Sequence, residues 1–424
     1  MKLSITWRIF IGLVLGVIVG LAVHTAYDSG SPADQETLAT WSKNLQILSK
    51  VFLRMIKMII GPLVFSMLVV GIAKLGDFKL VGRIGGKTLG YFLFATVLSL
   101  LTGLITVNLL KPGKVMQLPL PPSGTDIGVE AKKFSVESFF YHIFPQSIVE
   151  SMAANEILQI VVFSIFFGIA TAAIGETGKV VIKALDAVSH VMFKIVSYVM
   201  GFAPFGVFGA IAAVVATEGL GIFIGYAYLI FSFFIGLFFF IFIVLWVICL
   251  VNKIPYFKLL GLIKDPALLS FSTASSEASM PQTIEALRKF GCSEKIISFV
   301  LPLGYSFNLD GSMMYMTFAT AFIAQAYGKD LSTTQQITML ATLMLSSKGI
   351  AGVPRASLVI IAGTMTMFDL PIEGLALLLG IDQILDMGRS STSVIGNAVA
   401  TAVVSKWEGE LDIAKMNGTE DVTV

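Results

Sequence analysis

Five polar residues share one face of an otherwise apolar stretch near the C-terminus. In IDQILDMGRSSTSVIGNAVAT (381–401), Asp382, Asp386, Arg389, Ser393 and Asn397 fall at offsets 0, 4, 7, 11 and 15. At about 100° per helical residue they occupy a stripe about 80° wide, and Ile384, Leu385, Val394 and Val399 lie off it. One helix thus presents two carboxylates, a guanidinium, a hydroxyl and an amide to a shared partner. A guanidinium can hold a carboxylate through two parallel hydrogen bonds. Asp386, one turn away, can receive an ammonium, and Asp382 can orient Arg389 from the other side. The chemistry fits a ligand of mixed charge. A structural ion pair that fixes helix packing is the plainer alternative, although charges inside apolar spans usually mark a pathway or a site.

Two further constellations lie upstream. GYSFNLDGS (304–312) interrupts an apolar span, and its NLDG (308–311) frees backbone carbonyls and adds a carboxylate. Read functionally it is a cation or proton site; read structurally it is a kinked packing helix. STASSEASMP (272–281) supplies hydroxyls and amide donors at a broken helix, where a polar turn is the alternative. Glu277 is its sharper feature, a lone carboxyl between apolar arms. Lys348, in the polar stretch LSSKGIAGVP (345–354), is the cation expected to lie near it, each charge offsetting the other's burial. RMIKMIIGP (54–62) carries basic residues at helical spacing and reads as a stripe facing solvent or headgroups.

The elements that must position these residues are helical and greasy. Of 424 residues, 56% are hydrophobic and 13% charged, against about 25% charged in soluble domains, and mean hydropathy is +0.86. Apolar runs such as 8–23 and 222–251 suit membrane spans, whereas the alternation of a β-barrel is absent. No small-residue cleavage site follows the first run, so it is expected to stay as a span. Spans are predicted at 7–24, 45–73, 88–110, 155–175, 186–215 and 221–251. From 258 to 404 the apolar pattern is interrupted repeatedly. Two pairs of arms too short to cross a core of about 30 Å meet at 272–281 and 345–354, which predicts two re-entrant hairpins. Paired, interrupted segments point to a transporter site. Basic loops at 74–87, 252–258 and 287–295 should be cytoplasmic, the acidic loop 27–37 outside, and both termini inside.

A net charge of +2 argues against nucleic acid as a partner. Cys249 and Cys292 fit neither a disulfide framework nor a metal site. The histidines, at 24, 142 and 190, are scattered and read as packing residues. AAIGETGK (172–179) is no phosphate loop.

The ordered motifs STASSEASMP, NLDG, SSKGIAGVP and ILDMGRSS resemble those of the dicarboxylate/amino acid:cation symporters, which include the glutamate/aspartate transporters. The likeness extends from MIKMIIGPLVFSMLVVGIAKLG (55–76) to KWEGELD (406–412). It implies an all-α polytopic membrane protein with eight transmembrane helices and two re-entrant hairpins, at about 258–290 and 333–368. It further implies a homotrimer in the cell inner membrane, working as an elevator. The scaffold would be about 1–86 and 111–220, the transport part about 87–110 and 221–404, and 405–424 a cytoplasmic tail. Substrate contacts would come from Ser275, Ser276, Ser312 and Val353, and from Asp382, Asp386, Arg389, Ser390 and Ser393 on the last helix. Within that family the Asp and Arg matched by Asp386 and Arg389 go together with acidic amino acids, so glutamate or aspartate is the expected substrate. Two departures stand out. Ala274 replaces an Arg of archaeal aspartate carriers, and Arg355, expected to face solvent, replaces a common Gly.

The resemblance also bears on the coupling ion. The sodium-coupled relatives use a carboxylate where this chain has Asn397. They use a Tyr and Thr/Ser oxygens where it has Phe92, Ala95 and Thr96, and a Thr where it has Ile350. Gly304, Ser306, Asn308, Asp310 and Asn397 could still form one residual cation site. Met316 occupies the position of the proton-carrying Glu of mammalian relatives. The proton is therefore expected to be the coupling ion, with sodium possible, carried by Glu277 or Asp310 and with no cofactor. A channel would want a continuous polar path rather than paired opposite charges. An intramembrane enzyme would want a Ser-His, Asp-Asp or metal arrangement, and no His follows His190.

Overall fold

The computed structural model describes residues 5–27, 31–75, 78–116, 120, 143–219, 226–347, 356–379 and 381–417. Among these, regular structure is helical apart from one isolated bridge. The first helices are α1 (Ile5–Tyr27), α2 (Pro32–Leu75) and α3 (Phe78–Leu110). Proline at the first position of α2 forfeits no hydrogen bond, so the segment expected as an outer loop is already helical from residue 32. With 44 residues, α2 is about 66 Å long, twice the hydrocarbon thickness.

Next come α4 (Ile157–Ala173), α5 (Gly178–Val199) and α6 (Ala203–Glu218). The span expected at 186–215 is thereby corrected. The helical rod starts earlier and is divided by a 3-10 turn at Met200–Phe202, with Pro204 in the first turn of α6. A proline there needs no N–H partner, whereas mid-helix it would break the ladder. Helix α7 (Ala227–Val251) contains a π turn at Phe240–Leu245. The Tyr256 hydroxyl donates to the Ile241 carbonyl at 2.7 Å within that turn.

Beyond α7 the helices shorten: α8 (Tyr256–Thr273), α9 (Met280–Phe290), α10 (Glu294–Phe307), α11 (Asp310–Ala326), α12 (Thr333–Ser346) and α13 (Ala356–Met367). The last are α14 (Asp382–Trp407) and α15 (Ile413–Asn417). Helices α8 and α9 pack on each other as the first hairpin, and α12 packs on α13 as the second. At 11 residues, α9 is about 17 Å long and too short to span a bilayer. The tip of the second hairpin, with Lys348, Ile350, Val353 and Arg355, lies outside the described residues.

Five of the described helices are long and apolar enough to cross a membrane. Packing divides them. Helices α1, α2, α4, α5 and α6 contact one another, and α3, α7 and α8 to α13 gather around α11 and α14. Helix α10 touches α2 and α4 across the division. His24 packs as expected, its Nδ1 3.0 Å from the Ala216 carbonyl.

The α1–α6 contact depends on small residues one helical turn apart. A Cβ on Gly16 would come within 2.9 Å of the Phe208 carbonyl, and one on Gly20 within 2.7 Å of the Ala212 carbonyl. Backbones approach this closely only where side chains are missing, which suits apolar surroundings that offer no hydrophobic drive between helices. Gly16→Val should therefore destabilise the protein in detergent by about 1–3 kcal/mol, and Gly90→Val, which faces open space, by much less. Thermal unfolding of the two variants side by side checks this.

Candidate functional site

The NLDG motif breaks the chain between α10 and α11. Asn308 (φ −123°, ψ 60°) and Leu309 (φ −90°, ψ 63°) leave helical geometry, and the helix restarts at Asp310. Helix α14 crosses this break. Asn308 Nδ2 donates to Asp310 Oδ2 and to Asn397 Oδ1, both at 3.1 Å, and the Ser99 hydroxyl donates to Asp310 Oδ1 at 3.1 Å. The approach is tight. A Cβ on Gly304 would collide with the Asn397 amide, and one on Gly396 with the Asp310 carboxylate. Asp310, Asn308 and Asn397 are each at most 1% exposed.

Ser306 Oγ and Asn308 Oδ1 are also buried at the break, with no hydrogen-bond partner. Hard oxygens with unused lone pairs beside a carboxylate are the donor set a hard cation requires. Among the described residues no group of three or more His, Cys, Asp or Glu could hold a metal. The residues therefore fit an alkali cation or a proton better than a transition metal.

About two to four turns from Asn397 toward the start of α14 lies the charged part of the stripe. Arg389 Nη2 is 3.2 Å from Asp382 Oδ1 and 3.0 Å from Asp386 Oδ1. The guanidinium carbon lies 4.0 Å from the centroid of the Tyr315 ring, and the Tyr315 hydroxyl donates to Asp382 Oδ1 at 3.0 Å. Asp382 thus meets Arg389 on the same nitrogen as Asp386 and not from the other side as expected, and Tyr315 contacts both Asp382 and Arg389. Arg389 is 3% exposed, yet its Nε and Nη1 are buried without a partner. Buried donors left unmade are costly, and these two lie on different edges of the guanidinium. The Asp386 side chain keeps 38% exposure, so the stripe opens on its side. Ser393 links the two halves, accepting from Gly311 N at 3.2 Å and donating to the Arg389 carbonyl at 3.0 Å.

The first hairpin turns at Ala274, held at φ 49° in the left-handed region. The Ser275 hydroxyl accepts from Ala278 N at 3.3 Å, while Ser276 and Glu277 are half-buried. Helix α2 packs against the turn Glu277–Ser279. The expected Glu277–Lys348 pairing concerns a residue outside the described ones. Lys57, read from sequence as part of a stripe facing solvent or headgroups, is exposed. Ser312 and Ser390 are half-buried, and Gly304 and Ser306 are buried at the break. Phe92 and Ala95 are fully packed.

Two participants escaped the sequence reading. Ser99 follows Phe92 by two turns of α3, so helical spacing could have suggested it once the facing partner was known. Tyr315 follows Gly311 by one turn of α11, and a tyrosine in so apolar a helix needs a hydroxyl partner.

The sequence profile of the Sodium:dicarboxylate symporter family matches residues 5–407. The chain belongs to the sodium:dicarboxylate symporter family. It is similar to the "Proton/sodium-glutamate symport protein" of Bacillus caldotenax, with 42% identity over 419 residues covering 98% of this chain and 97% of the relative. It is also similar to the "C4-dicarboxylate transport protein" of Bacillus subtilis (strain 168), with 40% identity over 418 residues, 97% of this chain and 95% of the relative. The "Proton/sodium-glutamate symport protein" of the same organism is 40% identical over 420 residues, 98% and 95% of the two chains. Members are multi-pass membrane symporters, secondary transporters rather than enzymes.

In this symporter Tyr315→Phe keeps the ring beneath Arg389 and removes only the bond to Asp382. It should weaken substrate binding about three- to tenfold, the worth of one buried hydrogen bond. Titration calorimetry on purified protein measures this, and unchanged affinity would show that Asp382 and Arg389 hold their places without the hydroxyl.

Proposed function

We propose that this symporter takes up acidic amino acids, L-glutamate or L-aspartate, together with protons. The observation that carries the reading is Arg389, buried with two unused donors beside the half-exposed Asp386 carboxylate. A substrate carboxylate would take one of the two unused donors, Arg389 Nε or Nη1, which lie on different edges of the guanidinium. The substrate ammonium would take Asp386, drawing it away from the guanidinium, and Asp382 would keep Arg389 in place. Serines at 275 and 276 of the first hairpin, with Ser312, Ser390, Ser393 and Val353, would complete the contacts.

Charge balance supports symport. Asp382, Asp386 and Arg389 sum to −1, and a bound acidic amino acid makes it −2 before Asp310 is counted. Carrying that charge through hydrocarbon uncompensated is prohibitive, so positive charge must travel with the substrate. Glu277 and Asp310 are the carboxyls proposed to take the proton. The oxygens around Asp310 support sodium as a secondary ion at a residual site of Gly304, Ser306, Asn308, Asp310 and Asn397. A C4-dicarboxylate is the second reading, favoured by the printed name of the B. subtilis relative and opposed by Asp386, which has no ammonium to meet in such a ligand.

We further propose the elevator arrangement. Residues 87–110 and 221–404 would slide as a unit against a scaffold of 1–86 and 111–220, within a homotrimer of eight-span chains in the cell membrane with both termini cytoplasmic. The larger contacts fall within each group and support that division, while α10, on α2 and α4, and α8, on α6 and α1, form the surface between them.

Asp386→Ser should weaken aspartate and glutamate binding by about 2–5 kcal/mol while leaving succinate and malate nearly unchanged, because only the amino acids lose an ion partner. Equal losses for all four ligands in competition assays would remove the ammonium role. For coupling, purified protein in liposomes should accumulate glutamate or aspartate on an imposed inward pH gradient in sodium-free buffer. Glu277→Gln should abolish that dependence while leaving exchange of internal for external substrate. Accumulation that needs sodium and ignores the pH gradient would transfer coupling to the oxygens around Asp310.

A further inference from the structure

The residues after α14 read from sequence as a polar tail, but the structure folds them. Gly409, at φ 70°, closes the helix, its N–H donating to the Lys406 carbonyl at 3.2 Å while Glu410 N donates to Ser405 O at 2.8 Å. The chain then runs back across one end of the bundle, the end expected to face the cytoplasm, and is fastened there at three places.

The first is the start of α3. Arg83 reaches Glu408 Oε2 through Nη2 at 2.7 Å and Nε at 3.1 Å, and Lys87 Nζ lies 2.7 Å from Glu408 Oε1. The Glu408 side chain is only 2% exposed. The second is the α7–α8 junction, where Trp407 Nε1 donates to Asn252 Oδ1 at 2.7 Å and Lys258 Nζ donates to the Lys415 carbonyl at 3.0 Å. The third is the turn that ends the first hairpin. Ser293 N donates to Glu410 O at 3.2 Å, Asp412 N to Gly291 O at 2.9 Å, and Lys295 pairs with Glu410 at 2.7 Å. Gly291 has φ 106°, and a Cβ there would come within 2.8 Å of the Asp412 carbonyl. Leu411 (7% exposed) and Met416 (5%) bury their side chains in the core, and Asp412 Oδ1 caps α15.

We propose that residues 406–417 are a strap that welds the α3 end, the α7–α8 junction and the outer end of the first hairpin into one rigid body. Three elements far apart in the chain are tied to one short segment by charge, by backbone pairing and by two apolar anchors. The hairpin's end then cannot part from α3. In the elevator reading, on which only the transport consequence rests, the strap forces these elements to move together and places the whole of α3 from Phe78, Arg83 included, in the mobile part instead of 87–110 alone. The strap is not an acid switch in the neutral range. Burial raises the Glu408 carboxyl, but Lys87 and Arg83 outweigh it and hold it below its ordinary range. A depressed folded value contributes stability above the unfolded value near about 4.3, lost only as pH falls through the lower folded one.

Hydrogen exchange by mass spectrometry on the full-length protein in nanodiscs tests the strap independently of transport. Three proteins are compared with the parent: Glu408→Gln, Leu411→Asp and a chain ended at Ser405. Glu408→Gln keeps every apolar contact and so guards against wholesale misfolding. Amides over 83–90 and 287–297 should exchange about tenfold faster or more, while α1, α2 and α6 exchange as before. Unchanged exchange in 287–297, or an equal rise throughout the molecule, would overturn the strap. Uptake in liposomes should show a lower maximal rate with an unchanged substrate dissociation constant. Faster local exchange with a normal maximal rate would overturn the transport consequence and leave the substrate reading where it stands.

Discussion

Everything in this chain is arranged around a guanidinium that has been taken out of water. Arg389 is expensive to bury, and its environment answers in layers: two carboxylates against one nitrogen, an aromatic face beneath the charge, and two donors left open. The two open donors, on different edges of the guanidinium, are what the substrate reading rests on. Were all donors satisfied, Arg389 would be a structural pin. With two unmade, a carboxylate gains a charge-assisted bond that the free protein lacks.

The break in the chain at Asn308 and Leu309 serves the same end by another route. An unbroken helix spends its carbonyls on its own amides and has none to offer a cation. By ending α10 and restarting α11, the chain brings Asp310 and the Asn308 amide to Asn397 on α14, where irregular backbone among apolar helices persists only when protein covers it. Glycines at 304 and 396 permit this closeness, since any side chain there would occupy the space of the groups that form the site. The charged stripe and the oxygen-lined break share α14 and are linked through Ser393.

The ends of the helices carry constraints of a different kind. Outside hydrocarbon, ordinary surface pairs contribute little. The segment after α14 gains more because its charge pairs surround a carboxylate withdrawn from solvent and its apolar side chains enter the core. The residues expected as a cytoplasmic tail are, up to Asn417, packed as part of the fold.

Much of this was legible in sequence. Helical periodicity placed five polar residues on one face of α14, because the angle per residue is a local property of the backbone. NLDG broke a helix as its composition foretold, and the two interrupted apolar regions announced hairpins. Ordered motifs carried the family. Partners across space were not legible. Tyr315 meets Asp382 across 67 residues, Ser99 meets Asp310 across 211, and Arg83 meets Glu408 across 325. The 3-10 turn dividing α5 from α6 went unseen because both sides are apolar and helical, and hydropathy does not register a change of helix type. The sequence reading said nothing of what Glu408, Glu410 and Asp412 would meet. Only the tertiary structure sets basic groups and backbone amides opposite them. Local patterns fix where a side chain sits on its own helix, whereas the fold alone decides what stands across from it.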